Sequence, residues 1–407
     1  MARASIRPFL ASVVGVGMAA CVSRIEVGAF GTALLPEGGS DAPAVPRVRV
    51  TAKPSKLAAG GASTCAIGPS GGVHCWGGNE YGELGVGSGQ PVKSAVPLPV
   101  KDADKGTLGV SGSAFAYCSV QDSGVARCWG DSVFGKASAS PEEIRGVHTV
   151  WRWPLDVYRM GEGIALVRSG LYFGVALTTD GRVRTWGLDG HGQLGQGSTR
   201  DGLVPADLPT NERFVDIAAS NSGFFACGIN VTGDVLCWGA NDRGQLGNGS
   251  LEERTLPTKV DGLVGKAVEI TCGRAHACAR LETGYVACWG QGNLGQLGGG
   301  VLPPRPRPAF VLGLEQIAEV RAGHDHTCAL VRGGEVRCWG SDDSGQLTGK
   351  LLGSREMGPF SSLHAAFGAE TIAAGGKHSC AMAGAQVRCW GDDTSGQLGI
   401  SGMTAVP

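Results

Sequence analysis

The residues with the most chemical potential in this 407-residue chain are its 14 cysteines, because 12 of them fall in pairs: Cys65 with Cys75, Cys118 with Cys128, Cys227 with Cys237, Cys278 with Cys288, Cys328 with Cys338 and Cys380 with Cys389. Paired thiols can ligate zinc or oxidise to disulfides. Zinc knuckles want closely spaced Cys-x2-Cys motifs, which are absent here. A spacing of nine or ten residues instead lets two cysteines straddle one hairpin turn. With Gly333 at the centre of such a turn, Cys328 and Cys338 lie opposite each other on neighbouring strands, where Cα atoms are about 4.5 to 5.5 Å apart and within disulfide reach. Where the series lacks a pair, Val175 and Thr185 replace both members together. Paired loss implies paired use, and six cross-strand disulfides are expected. Cys272 stands where other units have Ala322 and Ala374, and reads as a buried alanine substitute without a partner.

The remaining chemical motifs read as structural. His276, His326 and His378 recur at one place in three units, two residues before a cysteine, so they are copies of one position. A metal site would require those copies to converge, and no metal is expected. Asp342-Asp343 and Asp392-Asp393 offer carboxylate pairs, yet both follow a Trp-Gly pair, where Asp favours turn geometry. Gly290-x-Gly292-x-x-Gly295 matches a dinucleotide fingerprint but lacks its strand-helix context. Asn230-Val231-Thr232 and Asn248-Gly249-Ser250 fit glycan acceptor sites if the host modifies exported proteins in this way. No catalytic constellation and no cofactor are read from the chain, so an enzyme is not expected.

The elements that carry these residues repeat. Trp-Gly occurs at Trp76, Trp129, Trp186, Trp238, Trp289, Trp339 and Trp390, at intervals of 53, 57, 52, 51, 50 and 51 residues. In the clearest unit, short strand-like runs from Thr327 to Leu330 and Glu335 to Trp339 flank Gly333-Gly334, which predicts a β-hairpin. Units of about 50 residues hold roughly four short strands, and radial repetition of such sheets is the propeller solution to exposed sheet edges. The predicted fold is all-β, a seven-bladed β-propeller over residues 47–407. The 69 glycines follow no three-residue period and suit turn-rich β structure.

Gly-x-x-His-x-x-Ala-Leu, then Trp-Gly, then Gly-Gln-Leu-Gly resembles the pattern of the regulator of chromosome condensation repeat family. The last element stands as Gly82-Glu83-Leu84-Gly85, Gly192 to Gly195, Gly244 to Gly247, Gly295 to Gly298, Gly345 to Thr348 and Gly396 to Gly399. The second unit departs, with Gly135-Lys136-Ala137-Ser138 in its place. The resemblance implies seven blades around a central channel. The best-known branch of that family exchanges guanine nucleotides in the nucleus, and a secreted relative inhibits β-lactamases.

Hydrophobic residues make up 42% and charged residues 17% of the chain, enough to bury a large core. A net charge of -1 gives no electrostatic footprint for nucleic acid. Residues 1–21 read as an export signal: Arg3 and Arg7 precede a mostly apolar run too short to span a bilayer. Its end, Met18-Ala19-Ala20-Cys21, resembles the lipobox of bacterial lipoproteins, with Met18 where Leu is usual, and nominates Cys21 for lipidation. Residues 22–46, rich in Gly, Ala and Pro, read as a flexible tether. The expected location is the cell envelope, membrane-anchored through Cys21 or otherwise periplasmic or secreted, and export suits disulfides.

A partner site is sought where the repeat is broken. The 57-residue interval places extra length around His148 to Gly163, HTVWRWPLDVYRMGEG, beside the degenerate second motif. Trp151 and Trp153 are the two tryptophans outside the Trp-Gly series, and Arg152, Tyr158 and Arg159 accompany them. These types dominate interface hot spots, although paired tryptophans also seal irregular junctions. The leading expectation is a monomeric, non-enzymatic binding or scaffold propeller for an unknown protein partner. The alternatives are a secreted enzyme inhibitor and, with less support, a nucleotide exchange factor or an envelope enzyme.

Overall fold

The structure is a computed structural model that describes Val48 and residues 50–131, 150–348, 361–363, 368–400 and 403–406. The chain divides into Met1–Pro46 and Arg47–Pro407, and the described residues belong to the second unit. The expected export segment 1–21 with Cys21, the expected tether 22–46 and the degenerate motif Gly135–Ser138 lie outside the described residues.

Alternating apolar runs and glycine turns produce seven four-stranded antiparallel sheets, each built from consecutive strands. Blade one is Leu57–Ala59, Ser63–Ile67, Val73–Gly78 and Lys93–Pro99, and the other six follow in chain order. The predicted hairpin of blade six is His326–Val331 and Val336–Gly340, with Gly333 and Gly334 turning at φ of 107° and 91°. Second strands such as Ser63–Ile67 and Phe225–Asn230 are buried along their whole length. Fourth strands such as Lys93–Pro99 are largely exposed. That gradient runs from the axis to the rim, and it explains a shared proline in the fourth strands: Pro97, Pro154, Pro205, Pro257 and Pro308. A residue without an amide hydrogen is tolerated on an edge.

Val150–Asp156, expected within an inserted stretch, is the ordinary fourth strand of blade two, paired as Arg127↔Asp156, Cys128↔Leu155 and Gly130↔Trp151. The extra length of the long interval therefore falls between Asp131 and Val150.

Adjacent blades bury their facing sides against each other. One cluster joins Phe225, Cys227 and Leu246 of blade four to Ile270, Ala277 and Trp289 of blade five. Trp-Gly tryptophans donate their indole N–H to the turn of the preceding blade. Trp129 bonds the Glu83 carbonyl at 2.8 Å, Trp238 bonds Gln193 at 2.9 Å, Trp289 bonds Gln245 at 2.9 Å, Trp339 bonds Gln296 at 3.0 Å and Trp390 bonds Gln346 at 2.8 Å. The glycine after each tryptophan is required: Gly77 sits at φ 105°, and a Cβ there would lie 2.5 Å from the Ala62 carbonyl oxygen.

Candidate functional site

The polar residues of the repeat are consumed in holding it. In Gly-Gln-Leu-Gly the glutamine Oε1 accepts the amide two residues earlier, as Gln193 does from His191 at 2.9 Å and Gln245 from Arg243 at 2.8 Å. The leucine amide reaches back to the Asn or Asp that follows Trp-Gly, so Leu246 donates to Asn241, Leu347 to Asp342 and Leu398 to Asp393. The carboxylates at Asp342 and Asp393 are thus turn acceptors. Asn230 likewise receives Thr232 and Asp234 and donates to Glu212, and Asn248 accepts Ser250. Both glycan-acceptor motifs are spent in turns of this kind.

His276, His326 and His378 stay in separate blades and face hydroxyls of the next one: Nε2 lies 2.9 Å from Thr327 Oγ1, 2.9 Å from Ser379 Oγ and 3.0 Å from Thr64 Oγ1. Each hydroxyl gives its own hydrogen to a turn carbonyl, of Gln296, Gln346 and Gln397. The histidines must therefore donate through Nε2, which leaves Nδ1 bare and buried without a partner. Burial pushes their pKa values down, to about 4, 3 and 4 in chain order. No group of three His, Cys, Asp or Glu suited to a metal occurs among the described residues.

The six cysteine pairs are bonded across their hairpins. Cys65 joins Cys75, Cys118 joins Cys128, Cys227 joins Cys237, Cys278 joins Cys288, Cys328 joins Cys338 and Cys380 joins Cys389. Their S–S distances are 2.03–2.11 Å. Their Cα separations of 4.0–4.1 Å correct the wider strand spacing expected from sequence, because each pair occupies directly opposed positions and the bond draws the strands together. In all six hairpins the two cysteines are register partners, and the last pair, Cys380↔Cys389, spans one residue fewer because its turn is shorter. Val175 opposes Thr185 in the same register. Cys272 is buried and free, and burial raises its thiol well above the ordinary range.

Sequence reasoning implied a central channel but missed its charged lining. A cavity of about 550 Å³ runs between the innermost strands and is lined by charge: Arg168, Asp216, Glu269, Glu319 and Arg321. The carboxylates bridge blades, because inner strands of neighbouring blades do not pair and their amides need acceptors. Asp216 accepts Ile270 N at 3.1 Å, Glu269 accepts Val320 N at 3.2 Å and Glu319 accepts Ile372 N at 3.3 Å. Arg321 binds Glu269 and Glu319, and Arg280 adds a bond to Glu269 at 2.9 Å. Burial pushes Asp216 up to about 6, against the pull of Arg168. These acids hold blades four to seven in step, and their oxygens are committed to that task. The available signal was a charge inside an otherwise apolar first strand, as in VDIAA, VEITC and AEVRA. One end of the channel is crossed by residues 50–56, where Ala52 N bonds Val215 O and Val110 N bonds Ser55 O. At the other, Asn221 spans from the Ala114 amide to the Ala322 carbonyl.

The irregular edge lies on blade two. Trp151 packs against the cluster containing Trp186, Val157 and Met160, and its indole nitrogen is buried without a partner. Trp153 meets it edge-on at 6.2 Å and carries Lys101 Nζ 5.3 Å above its ring. Arg152 lies beside Gly89, and Arg159, at φ 55°, stacks over Tyr158 at 5.2 Å. The structure thus brings Arg152 and Trp153 to one strand and turns Trp151 inward.

Seven closed, interlocked blades define a β-propeller of the chromosome-condensation type. Residues 25–351 match the RCC1-like domain model, and the chain belongs to that family. It is 32% identical over 230 residues to the E3 ubiquitin-protein ligase HERC2 of Homo sapiens, covering 55% of this chain and 5% of that one. It is 28% identical over 266 residues to the ultraviolet-B receptor UVR8 of Arabidopsis thaliana, covering 62% and 57%. The chain therefore spans less than two thirds of these curated relatives. Among solved structures, human WBSCR16 superposes with a TM-score of 0.70 at 21% identity, covering 81% of this chain and 87% of that one. Yeast RCC1 (Prp20), solved with Kap60, gives 0.70 at 20% identity, covering 84% of each. At these identities the likeness is one of fold.

Proposed function

We propose that this chain is a non-catalytic protein-binding propeller of the bacterial cell envelope. The observation that carries the reading is the division of labour among its polar and aromatic groups. Inside, the repeated indoles, glutamines, histidines and channel carboxylates bond neighbouring blades. At the rim where blades one and two meet, Trp153, Arg152, Tyr158 and Lys101 leave large rings and cations partly or fully exposed. Such groups contribute most when a partner desolvates them. Six disulfides fit life in an oxidising compartment. The test is capture from envelope extract by the wild type and by Trp153→Ala, with cross-linking to identify what binds. Loss of one defined partner at an unchanged melting temperature supports the reading. Capture that persists, or a turnover of envelope substrates by the purified protein, overturns it.

A further inference from the structure

In five units the second residue of the Gly-Gln-Leu-Gly turn is glutamine, and in blade one it is Glu83. The exchange keeps one contact and removes another. Glu83 Oε2 accepts the Tyr81 amide at 2.8 Å, just as Gln245 accepts that of Arg243. In blade four the spare amide nitrogen of Gln245 donates to Asp242 at 3.1 Å, whereas blade one has a carboxylate at Glu83 and another at Glu80, in the place of Asp242. Two acids face each other where an amide and an acid would bond. Glu80 is exposed and Glu83 is 6% exposed.

Three half-exposed rings from three blades lie beside these acids. Tyr81 meets Phe115 at 5.0 Å and 57°, and Phe115 stacks on Tyr172 at 6.2 Å and 23°. Their placement is fixed by backbone. The Asp131 amide donates to the Phe115 carbonyl at 2.9 Å, and Tyr172 is held at φ 59°, a conformation that non-glycine residues adopt only under constraint. The charges acting on Tyr81, chiefly Glu80, with Asp131 and Glu83 after it, are carboxylates and raise its phenol. Burial, with Glu80 adding to it, lifts Glu83 to about 7.

We propose that the Tyr81–Phe115–Tyr172 arc docks a cationic side chain of a protein partner, and that the group it fits is the guanidinium of an arginine. A guanidinium is planar, stacks on aromatic faces and donates several N–H groups to carboxylates, so rings and acids are both used by one ligand. The inference rests on the protein-binding reading above but not on the Trp153 surface.

The experiment titrates the purified protein by NMR with N-acetyl Gly-Arg-Gly amide, with the same peptide carrying citrulline, and with choline. Glu83→Gln installs the residue used by five other units and should leave the fold intact. The arginine peptide is expected to shift the Tyr81, Phe115 and Tyr172 ring signals saturably and about tenfold more tightly than citrulline, in keeping with a partly desolvated cation–π contact. Glu83→Gln and Phe115→Ala should each weaken it several-fold with unchanged melting temperatures, and wild-type affinity should fall as pH drops below about 7. Equal binding of the citrulline peptide, or wild-type affinity in both variants, overturns the site. Choline binding as tightly as arginine assigns it to small organic cations, and a dimer dissolved by Glu83→Gln assigns it to a second copy; either overturns the arginine partner. If this titration fails while Trp153-dependent capture persists, the binding propeller stands and this site alone falls.

Discussion

The indole nitrogen of Trp76 donates to the backbone carbonyl of Gln397 at 3.0 Å across 321 residues of sequence. This contact joins the first blade to the last, and it is the contact that joins neighbouring blades elsewhere. Thr64 reinforces it, bonding the same carbonyl at 2.9 Å. Blades one and seven are each built from strands consecutive in the chain, so closure relies on side chains and on the bond from Gly376 N to Gly60 O at 2.9 Å, and not on a shared sheet.

Trp76→Phe should therefore cost as much as the same change inside the ring. Each removes an indole N–H from a buried carbonyl, worth about 1 to 3 kcal/mol. Urea unfolding of Trp76→Phe and Trp238→Phe should give similar losses. A negligible loss at Trp76 alone would show that closure depends on other contacts.

Non-reducing peptide mapping should recover six intra-hairpin bridges and a free Cys272. Blade three supplies a tested replacement, so Cys328→Val with Cys338→Thr should fold and lose under about 3 kcal/mol, the chain-entropy value for a short loop. Most thiols reacting with alkylating reagent before reduction would contradict the bridges.

Acid should weaken the ring through its histidines. Their folded values of about 4, 3 and 4 lie below the unfolded 6.5, so on acidification the unfolded chain takes up protons first. Stability is then complete above pH 6.5 and is lost as pH falls towards about 4. Raised carboxyls at Glu83 and Asp216 act with the opposite sign, so the histidine share must be isolated. His326→Phe borrows the residue that blades three and four use at this place, Phe173 and Phe225. Its urea midpoint should change less than the wild type's between pH 7.5 and 4.5; equal slopes would refute the assignment.

The two tryptophans of blade two should separate. Trp151→Ala opens a partly buried packing site and should cost up to about 3 kcal/mol, the lower end for aromatic truncation in a core. Trp153→Ala should leave thermal stability almost unchanged and abolish partner capture. Reversed outcomes in calorimetry and capture would exchange the roles.

If residues 1–21 are the export signal proposed from sequence, Cys21→Ser should move the protein from the membrane fraction to the soluble one, because a lipidated cysteine would be its anchor. Unchanged detergent partitioning would favour ordinary cleavage.

The fold was legible because one large residue, the Trp-Gly tryptophan, marks every blade at a nearly constant interval, and each cysteine pair marks the hairpin around it. At Val150–Asp156 the two tryptophans mask an ordinary edge strand, whose sign in the sequence is Pro154, the counterpart of Pro97, Pro205, Pro257 and Pro308. The channel was less legible. Asp216, Glu269 and Glu319 lie in different units, and only closure of the ring brings their carboxylates to the amides of the next blade. The exchange of Gln for Glu83 was visible as a letter, but its effect depends on Phe115 and Tyr172, which the chain delivers from two other blades.

Among the described residues every covalent crosslink lies within a single hairpin, and none joins one blade to the next. The molecule is thus a set of riveted plates joined by non-covalent hinges, and the rivets strengthen each plate without tightening any hinge. Under mechanical load or protease attack the plates should part before they unravel. An oxidising compartment would then set how long a separated blade survives, while burial and hydrogen bonds between blades set how often it separates.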